Sequence, residues 1–218
     1  MVKESVVFPL LELLPGGAKE RALQAMTMHE YARGETIYER GESRTDALFI
    51  FDGKVKFCAF GPEGQATFFF HRGAGEMFGY YAAITEKPQT VTTIAAENTI
   101  IGSVRGEDFM SMVLDHRDLS SYMLKLVTGI LRCEINRLTH LLVMDAPLRV
   151  VAAILDQVSE TGSTIMNIPA RAELASRLGM TRETLARHLS SLAKQGLIAV
   201  DRDSIHVLDP QRLTDLIG

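Results

Sequence analysis

Between Glu35 and Val104 the apolar positions fall in short runs: ETIYE, ALFIF, KVKFCAF, ATFFF, TVTTIA and TIIGSV. Runs of this length, rich in β-branched and aromatic residues, predict strands, and about eight are expected here. Ten of the 17 glycines lie between Gly34 and Gly106, where they punctuate the runs. Asp52-Gly53 separates two of them and carries the two-residue hairpin signal. GPEG at 61–64 reads as a second tight turn. Short strands at regular spacing with glycine turns predict a β-sandwich or small barrel.

After Gly106 the period changes. EDFMSMVLDH predicts a short helix. From Arg117 to Met144 there is no proline and one glycine, Gly129. Val127, Leu131, Ile135, Leu138 and Leu142 recur there at three- and four-residue steps, the apolar stripe of a long helix. Such a helix beside a small β domain suits a dimer seam near coiled-coil spacing; packing along its own barrel is the other use of the same stripe. Asp145 is placed to cap a new helix, PLRVVAAILDQVSE, with Pro147 in its first turn. TGSTIMNIP reads as a loop or short strand. Helices follow from Ala170 to Gly179 and from Thr181 to Lys194, then a hairpin over LIAVDRDSIHVL and a short helix in PQRLTDLI.

The chain has 218 residues, 46% of them apolar and 23% charged, which suits a soluble protein of one or two domains. Cys58 and Cys133 cannot form a disulfide framework. The apolar run near the N-terminus is broken by Glu12 and Pro15, too short to span a membrane and without a signal-cleavage pattern. Cytoplasmic location without membrane association is expected. The net charge of −4 argues against a wholly basic nucleic-acid binder. Yet from Arg171 to Lys194 five basic residues stand against two acidic ones.

That segment, RLGMTRETLARHLSSLAKQGL with its preceding helix, has the outline of a helix-turn-helix. On a helical wheel Leu185, Leu189 and Leu192 share one face, and Arg182, Glu183, Ala186, Arg187 and Ser190 share the other. The second arc suits a DNA major groove: arginine donates two bonds to guanine, and a carboxylate accepts from the cytosine amine. Ala186 and Ser190 are small enough for close approach. Thr181 fits the N-cap, and the helix N-terminus favours a phosphate. A solvated helix face is the competing reading of this arc.

TRETLARHL, preceded by RAELASRLGM and followed by AKQGLIAV, resembles the winged helix of the cyclic-AMP receptor protein / fumarate-nitrate regulator (CRP/FNR) family. GETIYERGE, ALFIFDGKVK and GEMFG resemble successive landmarks of its β-roll, and LVMDAPLRVVAAIL its hinge. The resemblance implies an α+β chain: a cyclic-nucleotide-binding-like jelly roll over 1–116, a dimerisation helix over 117–144 and a winged helix-turn-helix over 145–218. It implies a homodimeric regulator of transcription, activator or repressor, whose partners are double-stranded DNA, a second copy and RNA polymerase. Arg182, Glu183 and Arg187 become the base readers of a TGTGA-type palindrome. Arg171 becomes a phosphate contact beside Thr181 and Ser190. Ala170 departs from the family, which often has a capping threonine there. The fumarate-nitrate branch usually lacks the first arginine and has serine where Ala186 stands.

By the same resemblance the effector pocket comprises Phe78, Gly79, Tyr80, Tyr81, Gln89 and Thr90, with Glu134 and Ile135 from the long helix. Here the cyclic-nucleotide pattern breaks. Tyr80 stands where the ribose-binding glutamate should be, Gln89 replaces the phosphate-binding arginine, and Thr90 replaces serine. Glu134-Ile135 replaces the adenine-contacting pair. A buried phosphate needs a charge partner or several donors, so cyclic AMP is not the expected effector, whose identity stays open. An iron–sulfur cluster of the family's type needs N-terminal cysteines, and none precedes Cys58. A haem-sensing reading names His71, His140, Cys58 and Cys133 as ligands, and a redox reading pairs the two cysteines. Against both, Cys58 reads as a small core residue in a strand, Cys133 as packing in the long helix, and His71 as a strand end. A cupin-like metal enzyme is a remote reading, since the six histidines are scattered and no nucleophile–base group is evident. No catalytic or metal-ligating residue is assigned, and the chain is expected not to be an enzyme.

Overall fold

The computed structural model of the chain describes residues 6–60, 66–168 and 171–217. It consists of two compact units, Met1–Gly129 and Ile130–Gly218.

The first unit opens with a turn of 3-10 helix, Leu11–Leu13, and α1, Ala18–Gln24. Eight strands follow among the described residues: β1 Thr27–Tyr31, β2 Thr36–Tyr38, β3 Ala47–Asp52, β4 Lys54–Phe60, β5 Ala66–Gly73, β6 Met77–Phe78, β7 Thr92–Ala95 and β8 Thr99–Val104. A short helix, α2 Tyr80–Thr85, sits between β6 and β7. Two four-stranded antiparallel sheets result, in the orders β1-β8-β3-β6 and β2-β7-β4-β5. Then come α3, Gly106–Asp115, and the long α4, Arg117–Val143. The division between the units falls within α4.

Strand β3 explains its own sequence. Leu48 and Ile50 point into the roll, against Val55, Phe57, Phe78 and Ile101. Phe49 and Phe51 point the other way, into a second core with Phe8, Leu11, Phe109, Leu119 and Met123. A strand buried on both faces reads as a continuous apolar run rather than an alternating one. Each such side chain contributes about 1.5–3 kcal/mol of burial.

The Asp52-Gly53 hairpin expected from the sequence is not a hairpin. β3 and β4 belong to different sheets, and the turn carries the chain from one to the other. Gly53 has φ +84°, and a Cβ there would stand 2.4 Å from the Asn98 carbonyl oxygen. The glycine is required, but by a sheet-crossing bend rather than by strand pairing. The GPEG turn lies outside the described residues, although the strands that flank it, β4 and β5, do pair antiparallel.

The second unit contains the rest of α4, then α5 Ala146–Thr161, β9 Ile165–Asn167, α6 Arg171–Arg177, α7 Arg182–Lys194, β10 Ile198–Val200, β11 Ser204–Val207 and α8 Pro210–Asp215. Asp145 caps α5 by accepting from the Leu148 N–H at 3.1 Å, and Pro147 occupies the first turn. The expected hairpin forms, Ile198 opposite Val207, and β9 adds a third strand beside β11. One core joins Val150, Ile154, Leu174, Leu185, Leu189, Ile205 and Leu213. The architecture is the α+β arrangement of a β-roll, a long helix and a winged helix-turn-helix.

Candidate nucleic-acid interface and effector pocket

Helices α6 and α7 are joined by a turn at Gly179, which has φ +62° and closes α6 with its N–H on the Ser176 carbonyl. Thr181 begins α7, its hydroxyl accepting from the Thr184 N–H at 3.2 Å. Leu185, Leu189 and Leu192 are buried, which fixes the rotation of α7. Arg182, Glu183, Ala186, Arg187 and Ser190 are all exposed on the opposite face. The structure therefore brings the five residues of the wheel's polar arc onto one open surface.

Glu183 lies in the first turn of α7. Its own backbone N–H and the Thr181 hydroxyl hold its carboxyl below the ordinary value. It presents an acidic acceptor beside Arg182. With the Thr184 N–H on the Thr181 hydroxyl and the Glu183 N–H on its own carboxylate, the Arg182 N–H is the first-turn donor left for a phosphate.

Arg171 starts α6, and its Nη2 donates to the Asp201 carbonyl at 3.1 Å. It thus braces the turn of the β10–β11 hairpin, a tie the sequence did not indicate. A guanidinium has five donors, so this bond leaves others available. Ala170, the position that departs from the family pattern, lies outside the described residues. Arg202, at the hairpin tip, is exposed and was missed, because a lone arginine between two aspartates gives no basic signal.

In the first unit Phe78, Gly79, Tyr80, Tyr81, Gln89 and Thr90 line one cavity of about 120 Å³. Tyr38, Phe57, Phe70, Arg72 and Val91 complete its wall. Gly79 adopts φ +79° at the entry to α2, and a Cβ there would lie 2.5 Å from the Asp46 carbonyl oxygen. Gln89 is only 5% exposed, and its Nε2 donates to the Arg44 carbonyl at 2.8 Å. Its backbone is bonded to Gly41 and Glu42 as well. Its amide is a stitch between two loops, while Thr90 is exposed. Burial pushes the Tyr38 phenol up to about 12. Burial raises Tyr80 too, and Arg72 beside it pulls the other way. Sequence reasoning missed Tyr38, Phe57, Phe70, Arg72 and Val91; of these Arg72 carries the charge, and its place two residues after Phe70 in an apolar strand was the available signal.

Glu134 and Ile135 lie in the second unit. There Glu134 accepts from Arg137 at 2.7 Å and borders a separate cavity with His140 and Arg149. Ile135 is exposed with Val127, Leu131, Leu138 and Leu142 along α4. Cys133 is also exposed, contrary to the expectation that it packs, because it falls outside the helix's buried positions. Cys58 is buried; its thiol is raised by burial and donates to the Thr92 carbonyl at 3.7 Å. His71 stands inside β5 opposite Lys56 rather than at the strand's end. Among the described residues no three His, Cys, Asp or Glu side chains are gathered as a metal would need, and no helix is long and apolar enough to cross a membrane.

Comparison with known proteins matches residues 28–116 to the family described as "Cyclic nucleotide-binding domain" and 148–216 to "Crp-like helix-turn-helix domain". The chain is 25% identical over 207 residues to the CRP-like cAMP-activated global transcriptional regulator of Mycobacterium tuberculosis, covering 90% of this chain and 92% of that regulator. FixK2 of Bradyrhizobium japonicum is similar in structure, with TM-score 0.71 and 21% identity over 89% of this chain and 98% of that one. A CooA mutant of Carboxydothermus hydrogenoformans gives TM-score 0.79 and 18% identity over 100% of this chain and 98% of that one. At these identities the two structural likenesses speak to the fold.

Proposed function

This chain belongs to the CRP/FNR family of DNA-binding transcriptional regulators, and from that premise we propose that it acts as a homodimer reading a two-fold DNA site of the type TGTGA-N6-TCACA. The observation that carries this reading is the exposed arc of Arg182, Glu183 and Arg187 on a helix whose other face is locked into a core. The two arginines suit guanines, and the ionised Glu183 suits a cytosine amine. On a surface that only neutralised phosphate, that carboxylate would weaken binding. Arg171, Ser190 and the Arg182 N–H beside Thr181 then take the flanking phosphates.

Residues 1–116 sense the signal, 117–144 pair two chains through Val127, Leu131, Ile135, Leu138 and Leu142, and 145–218 read DNA. The state of the β-roll alters the hinge at Met144–Asp145 and repositions the recognition helices. The protein works in the cytoplasm, on DNA and with RNA polymerase, as a regulator rather than an enzyme. Its effector is not cyclic AMP: Gln89 has no charge and spends its amide on Arg44.

Selection from random duplex DNA tests the reading. A palindrome with TGTGA half-sites spaced by one helical turn is the expected product. A TTGAT-type half-site would overturn the role of Arg182, and the absence of any enriched sequence would overturn base reading altogether.

A further inference from the structure

The β-roll cavity has an apolar, ring-lined interior. Phe57 and Phe70 stack at 4.4 Å with 27° between their planes, and Phe78 stands edge-on to Phe57 at 5.5 Å. Tyr38 completes the wall, 5.9 Å from Phe78. The volume of about 120 Å³ suits one six-membered ring.

Among the described residues a single cationic side chain lines this interior. Arg72 follows Phe70 by two residues on β5, so both project from the same face of the strand. Its guanidinium carbon lies 5.1 Å from the Phe70 ring centroid. Arg72 also bonds the Tyr80 phenol, and its Nη1 is 3.2 Å from the Glu76 carboxylate. The Glu76 side chain is 47% exposed and makes a second bond, accepting from the Gly73 N–H at 2.7 Å. This carboxylate lies at the solvent edge and is able to give way to another. Five guanidinium donors exceed what these partners occupy. The phenol of Tyr38 stays neutral, so the interior does not repel an anion.

We infer that the β-roll binds a small monocyclic aromatic acid, its ring among Phe57, Phe70 and Phe78 and its carboxylate on Arg72. This rests on reading the β-roll as the sensing domain. A planar carboxylate matches the guanidinium fork in two parallel bonds, and the ring replaces water against three aromatic faces. Within the pocket the loop offers the uncharged Gln89, and strand β5 offers the guanidinium of Arg72. The site is also placed to report occupancy. Arg72 and Tyr80 form part of the wall of a second cavity, about 210 Å³, which Tyr122 and Leu126 of α4 also line. A carboxylate that draws Arg72 from Glu76 shifts the side chains that touch the long helix.

Titration calorimetry of the full chain tests this with benzoate and phenylacetate, against benzyl alcohol, which lacks the charge, and acetate, which lacks the ring. Saturable binding of one aromatic acid per chain is expected, with both controls weaker by about tenfold or more. Arg72→Gln should weaken the acid by about the same factor, and Arg72→Lys by less. Glu76→Gln keeps the acceptor for Gly73 and removes the competing charge, so it should tighten binding. This exposed substitution keeps the test decisive even if Arg72→Gln fails to fold. No binding of either acid at about 10 mM, equal binding of benzyl alcohol, or weakening by Glu76→Gln would each overturn the inference. Gel shifts separate this from the regulator reading. Sequence-specific DNA binding without acid binding sinks the effector class alone. Acid binding without any DNA binding sinks the DNA reading and leaves the pocket standing.

Discussion

Arginines with different surroundings should fail differently. Arg187 is exposed on α7 and bonds no other side chain among the described residues, so Arg187→Ala should cost about 1–3 kcal/mol at the cognate site and relax preference at one guanine. Competition gel shifts against single-base variants measure both effects. Arg171→Ala should weaken all sequences alike and reduce the salt slope by about one. It should also loosen the hairpin, since Arg171 holds the Asp201 carbonyl. Amide exchange at 201–204 reads that second effect, and a slope unchanged by the substitution would remove Arg171 from the phosphate contacts. The Glu183 carboxyl is held below its ordinary value, so its cytosine contact should persist through the neutral range. It should be lost only in acid, as pH falls through that lowered value.

At the scale of the element, α4 poses the clearest question. Leu119 and Met123 of its first turns are buried, whereas Leu131 and Leu138 remain 57% and 51% exposed. An apolar stripe left open on a helix of 27 residues calls for a partner. Replacing both Leu131 and Leu138 by Lys should convert the protein to monomer in sedimentation; an unchanged dimer would exclude this seam. The β3–β4 bend gives a second test. Gly53→Ala forces a Cβ into the Asn98 carbonyl at positive φ, and should destabilise the fold by about 1–3 kcal/mol in urea titration. That glycine was legible in the sequence, but its purpose was not. The same Asp-Gly pair serves a hairpin or a crossing, and only the distant partner β8 decides which.

For the whole molecule, the expectation is a regulator that ignores cyclic AMP. Calorimetry at about millimolar nucleotide should give no heat of binding. Micromolar affinity with enhanced DNA binding would show that the hydroxyl of Thr90 and the amide of Gln89 suffice for a phosphate. It would also require Gln89 to leave Arg44, which a chemical-shift change at the Arg44–Asp46 backbone would reveal.

The sequence alone determined most of the longer elements and the exposed polar arc of α7. Both are local: helical period places Leu185, Leu189 and Leu192 on one side, and the polar side follows from the same 3.6-residue repeat. The caps at Asp145 and Thr181 are equally local, one side chain to an N–H three residues on. Tertiary structure decided what depends on distant partners. Strand β1, TMHEY, carries no apolar run and exists because it pairs with β8, Thr27 opposite Ser103. The two residues of β6 are a strand only beside Leu48 and Phe49. Phe8 and Leu11 became core because β3 turns its second face toward them. Arg72 acquired meaning in the same way. Along the chain it is one basic residue after an aromatic run, and only when β4, β5 and β6 close around a cavity does it become the cation at the edge of an aromatic pocket. Periodicity is written in neighbouring residues, whereas a pocket is made by residues that the chain keeps apart until it folds.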